Sequence, residues 1–76
     1  MRQLRVGVVG LGLGRHHVAA CAQAEHVGRL VICDPDTNRL EGIRAEFPRV
    51  AAAYESAAGM LSAERLDAVP ESADFA

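Results

Sequence analysis

The sequence predicts an α/β fold with a parallel sheet: half of a doubly wound domain, with three strands and the stub of a fourth. Three observations carry this. An apolar run, Leu4 to Val9, runs straight into glycines on alternate positions, Gly10, Gly12 and Gly14. A second apolar run, Leu30 to Cys33, ends in Asp34-Pro35-Asp36. Helix-compatible segments follow each run, so strand and helix alternate along the chain, and that alternation implies right-handed parallel crossovers.

Each element has its own signal. The apolar character of Leu4–Val9 suits a strand covered on both faces. A first helix is expected from Gly14 or Arg15 to about His26, with Val18, Cys21, Ala22 and Glu25 on one side and Gly28 as its stop. Leu30–Cys33 is the second strand. Asp34 to Asn38 is turn chemistry, and Asp36 or Thr37 is placed to cap a second helix. Leu40, Ile43 and Phe47 recur at three and four residues along that helix, and Pro48 ends it. Val50–Tyr54 reads as a short third strand. Ser56 caps a third helix through about Ala63, with Met60 and Leu61 expected in the core.

Leu66–Val69 begins a fourth strand, and there the pattern stops. Pro70-Glu-Ser-Ala-Asp74 has no strand character, since proline cannot donate to a sheet ladder. The expected organisation is a partial dinucleotide-binding domain over residues 1–69 and an irregular tail over 70–76. A complete domain of this kind has about 150 residues, so 76 residues accommodate about half of one. In the strand order 3-2-1-4, strand one then keeps a partly bare edge, which invites self-association or a companion chain.

Composition narrows the classes. The net charge of −2 argues against a sequence-independent nucleic-acid binder. No apolar run approaches the roughly 18 residues of a membrane span, and the first strand starts too early to leave room for a signal peptide. A cytoplasmic protein is expected. Cys21 and Cys33 fit no zinc or redox spacing and read as reduced, buried thiols. No metal site is expected. His16 and His17 are adjacent on a helix, so they point apart and make a poor metal pair. One is expected to pack near the loop and the other to be solvated, with His26 on the surface.

The glycines and the acid belong to one chemistry. Without a Cβ, the turn lets the backbone come close to a pyrophosphate, and the N–H groups of the helix start face its charge. A carboxylate about 20 residues on, at the end of the second strand, can accept hydrogen bonds from both adenosine ribose hydroxyls. Together these features describe a Rossmann-type site. The candidate cofactor contacts are Gly10, Leu11, Gly12, Leu13, Gly14, Arg15 and Asp34. An acid at position 34 repels a 2′-phosphate, which favours NAD, with NADP as the alternative. Arg39 could reach a phosphate, although a solvated arginine on the helix face is the plainer expectation.

Val6 to His17 resembles the start of the glucose–fructose oxidoreductase / inositol dehydrogenase (Gfo/Idh/MocA) family. The residues that carry the resemblance are the Val-Gly-rich strand and Gly12-Leu-Gly14-Arg15-His16-His17, then Val31-Ile-Cys-Asp34-Pro-Asp36, Phe47-Pro48, Ser56 to Leu61 and Asp67-Ala-Val69. It implies NAD(P) as cofactor, hydride transfer on sugars, polyols or related small molecules, Gly10, Gly12 and Gly14 along the pyrophosphate, and Asp34 on the ribose. The sequence departs from the family in two ways. Its loop is one residue shorter than Gly-x-Gly-x-x-Gly. It also has no Thr-Pro loop after strand four and no Glu-Lys-Pro segment, and all eight of its basic residues are arginine. No catalytic residue is therefore assigned. The expectation is an NAD(P)-binding portion of an oxidoreductase, not catalytic alone. The alternatives are a non-catalytic nucleotide-binding or regulatory module and a non-functional gene fragment.

Overall fold

The computed structural model describes residues 3–69. Its elements are β1 (Leu4–Val9), α1 (Leu11–Gln23), β2 (Val27–Cys33), α2 (Thr37–Glu46), β3 (Val50–Tyr54) and α3 (Ala57–Ala63). The three strands form one parallel sheet in the order β1-β2-β3. Ala68 makes a single parallel bridge to Val6, so the start of the fourth strand lies on the other side of β1, and the spatial order is 3-2-1-4. The bridge is held by Gly7 N–H donating to Ala68 O (3.1 Å) and Asp67 N–H donating to Arg5 O (2.7 Å).

The sheet is covered on both faces because the crossovers reverse direction after β3. On one face, Val6 and Val8 of β1, Leu30 and Ile32 of β2, and Val50 of β3 pack against Leu11 and Val18 of α1 and Leu40 and Ile43 of α2. On the other, Val31 and Cys33 pack against Met60 of α3, with Ala52, Tyr54 and Leu66 around them. Successive β2 residues point to opposite faces, so Leu30 to Cys33 must all be apolar, and all four are buried. Burying each such side chain contributes about 1.5–3 kcal/mol, which makes β2 the backbone of the core.

Several expectations change at the boundaries. α1 starts at Leu11 and ends at Gln23, about three residues earlier at each end than the sequence spacing implied. Arg49, from the turn before β3, explains the early end. Its guanidinium donates to the carbonyls of Cys21 (2.7 Å), Ala22 (3.0 Å) and Ala24 (3.1 Å), satisfying oxygens that a longer helix would have bonded internally. Gly28 is therefore not a helix stop. It lies inside β2, where a Cβ would sit 2.8 Å from Gln3 Cβ. Leu61 is 57% exposed, not in the core. α3 turns Met60 to the sheet, and the next residue is rotated by about 100° at 3.6 residues per turn. β3 and α3 otherwise occupy their expected ranges. The expected tail, 70–76, lies outside the described residues.

Candidate functional site

The site gathers at the C-terminal ends of the strands. β1 runs directly into Gly10, which has φ 80 and ψ 91, a left-handed region that a side chain rarely adopts. Gly10 is the only described residue there. It is the N-cap of α1, and Gly14 N–H donates to its carbonyl (3.0 Å). Gly12 and Gly14 are therefore not loop residues. They lie in the first turn of α1 with Leu11, Leu13 and Arg15, because the helix begins one residue after the turn. The turn needs one glycine only. The other two remove the Cβ at alternate positions of the first turn of α1.

Gly10 offers α1 no side-chain cap, and the first turn has no acidic residue. Asp34 fills that role from a distance. Its Oδ2 accepts from Leu11 N–H at 2.8 Å, and its Oδ1 accepts from Asp36 N–H at 2.8 Å. One carboxylate thus ties the end of β2 to the start of α1 and shapes the turn into α2. It is buried, and a negative charge there complements the α1 dipole. Asp36 in turn caps α2, accepting from Asn38 N–H at 2.9 Å and Arg39 N–H at 3.4 Å. The sequence placed Asp34 and Asp36 correctly. It did not show that Asp34 and the glycine turn are bonded to each other.

Arg15 does not point at the helix start. Its Nε (3.0 Å to Oε1) and Nη2 donate to the two carboxylate oxygens of Glu46 of α2, and its guanidinium lies 5.8 Å from the centre of the Phe47 ring. Arg39 has Nη1 3.8 Å from Asp34 Oδ2 and Nε 3.8 Å from Asp36 Oδ2. Between the two arginines lies an open cleft of about 390 Å³, lined also by Leu11, Gly12, Gly42, Ile43 and Glu46. His16 and His26 are exposed and His17 is half-buried. Among the described residues no group of histidine, cysteine and acidic side chains could hold a metal ion. Cys21 and Cys33 are free thiols. Burial pushes both above their usual range; the Asp34 charge adds to this at Cys33, and Arg49 opposes it at Cys21.

A second polar cluster, on the face of the sheet that α3 covers, was not read in the sequence. Glu64, just after α3, is buried and accepts from Arg29 of β2 (Nε 2.7 Å, Nη2 2.9 Å) and from the Tyr54 hydroxyl of β3. These bonds, Arg29 foremost, hold its carboxyl down to about 2. The same contact with Glu64 pushes Tyr54 up. No local motif announces three residues from three elements.

The fold has solved counterparts. Myo-inositol 2-dehydrogenase from Lactobacillus plantarum matches 95% of this chain with a TM-score of 0.82 and 30% identity. Scyllo-inositol dehydrogenase from Lactobacillus casei matches in two structures, over 95% and 92% of this chain, with TM-scores of 0.82 and 0.81 and identities of 24% and 25%. The family resemblance read in the sequence holds in three dimensions. The likeness is to the N-terminal part of inositol dehydrogenases, and the three parallel strands and three helices match a Rossmann-like half-domain. The chain spans only 21–22% of the length of these enzymes. No family model matches the sequence, and no curated protein matches it either. No helix among the described residues is long and apolar enough to cross a membrane.

Proposed function

We propose that this chain binds the adenosine diphosphate part of a nicotinamide dinucleotide, as the cofactor-holding portion of an oxidoreductase acting on sugars, polyols or related small molecules. The observation that carries the reading is the bond between Asp34 and Leu11 N–H. It sets an acid suited to ribose hydroxyls beside a helix start suited to phosphate. The residues present fit that group. Gly10 turns the chain at φ 80, and Gly12 and Gly14 leave the first turn of α1 open to close approach. Asp34 uses one hydrogen bond on each oxygen, and a carboxylate has about four acceptor positions, so capacity for ribose hydroxyls remains.

When bound, the nicotinamide would supply hydride transfer; the chain's own part is to bind and orient. Asp34 would hold the ribose and disfavour a 2′-phosphate, so NAD is preferred to NADP. Gly10, Leu11, Gly12, Leu13 and Gly14 would line the pyrophosphate; the N–H groups of Gly10, Leu11 and Gly14 are engaged with Cys33 O, Asp34 Oδ2 and Gly10 O, so donation to the phosphates would come from the other N–H groups of the turn. Arg15 is held by Glu46 and would contribute only by leaving it. With no lysine in the sequence, no residue here is assigned to proton transfer, and a cytoplasmic oxidoreductase would complete its active site from elsewhere. Among the described residues, Asp67 and Ala68 bond to β1 at Arg5 and Gly7. Beside them lies an apolar groove of about 610 Å³ lined by Leu4, Val6, Cys21, Val27 and Val69, which supports that reading as a place for a companion chain or a second copy.

The test is an amide ¹⁵N–¹H correlation spectrum of the 76-residue chain, titrated with NAD and then NADP. Saturable shifts at Gly10, Gly12, Gly14 and Asp34, reached at lower NAD than NADP, are expected. A dispersed spectrum that ignores both dinucleotides refutes the proposal.

A further inference from the structure

We infer that Arg39 competes with the ligand for Asp34, so that adenosine must displace its guanidinium to reach the carboxylate. This rests on the adenosine-binding reading above and concerns the same site. The Asp34 side chain is only 4% exposed, although it is the group meant to meet a ribose. Two of its acceptor positions are taken by Leu11 N–H and Asp36 N–H. Arg39 Nη1 stands 3.8 Å from Oδ2, too close for a water molecule to lie between them. Backbone covers the carboxylate from inside, and the arginine covers it from the cleft.

Besides Asp34, Arg39 pairs through its guanidinium with Asp36 at the same 3.8 Å. It lies in the first turn of α2, where the helix dipole disfavours a cation. Its side chain is 55% exposed, so it packs little and can leave at small cost. Asp36 stands equally close, 3.8 Å from Nε, so the guanidinium keeps a carboxylate partner when it leaves Asp34. The cation therefore neutralises Asp34 while the site is empty and moves aside as the ribose hydroxyls replace it.

The consequence runs against the usual expectation that a cation beside a phosphate-bearing ligand helps binding. Arg39→Ala should tighten ADP binding by about two- to five-fold, the range of an exposed ion pair. It should leave 2′,3′-dideoxy-ADP unchanged, because that ligand has no hydroxyls with which to engage Asp34. Isothermal titration of the wild-type and substituted 76-residue chains with both nucleotides reads this directly. Alanine suits the first turn of a helix, and the far-ultraviolet circular dichroism of the variant checks that the fold is kept. Weaker ADP binding, no change, or an equal change for both nucleotides overturns the competition while leaving the adenosine site intact. If neither chain binds ADP, the adenosine-binding reading falls and this inference falls with it.

Discussion

Neutralising Glu64 by Glu64→Gln should cost the fold stability near neutral pH and cost it nothing in strong acid. The carboxyl moves from its usual 4.5 to about 2 on folding, chiefly through Arg29 and then Tyr54. One unit corresponds to about 1.4 kcal/mol, so the shift bounds the effect at about 3 kcal/mol. Arg29 is 37% exposed and stays partly solvated, which lowers the expectation to about 1–2 kcal/mol. Against a total stability of roughly 4–11 kcal/mol for a chain of this length, that is a large share. The sign follows from linkage. A depressed folded pKa gives stability that is fully present above the unfolded value of 4.5 and is lost as pH falls towards 2. Urea unfolding of wild type and variant at pH 7, 4 and 2.5 should show the gap shrinking with each step down. Tyr54 is the only tyrosine and the chain has no tryptophan, so its fluorescence reports on this cluster without labelling. Equal stability at pH 7, or a gap that persists undiminished at pH 2.5, would refute the reasoning.

Arg49→Ala removes the donor that three carbonyls at the end of α1 share; Cys21 O and Ala24 O keep backbone donors in Ala24 and Val27 N–H, and the change should cost about 1 kcal/mol, read as a fall in Tm of several degrees. Gly10→Ala forces a Cβ into φ 80; it should cost about 1–2 kcal/mol and weaken dinucleotide binding, measured by unfolding and by titration. Asp34→Ala should lose both functions of the carboxylate, with about 1–3 kcal/mol of stability from unpairing Leu11 and Asp36 N–H and NAD binding reduced at least about tenfold. Because that variant mixes the two effects, its binding is to be compared at a temperature where it is fully folded. Leu61→Gln, on the exposed side of α3, should change stability by less than about 0.5 kcal/mol in the same unfolding assay.

Local chemistry made much of this protein legible in advance. Val50–Tyr54, the Asp36 cap, the Ser56 cap and the Leu40–Ile43 stripe depend on neighbours within a few residues, and each appears where its spacing placed it. The strand order was legible too, because crossover handedness leaves few arrangements. The neighbouring inositol dehydrogenase structures show that the motif order carried a real likeness of fold.

What the sequence determined by itself was the set of elements, their order, and the pairing of a glycine turn with an acid at the end of the next strand. These follow from side-chain periodicity and backbone sterics, which act over a few residues. The tertiary structure alone decided where α1 stops, because Arg49 reaches it across 25–28 positions of sequence. It decided that Gly28 serves a close approach of Gln3 to β2, and that Glu64 is buried with Arg29 and Tyr54. It also decided that Asp34 caps α1 under the guard of Arg39. In each case the energy resides in a contact between residues far apart in sequence, which no local pattern encodes.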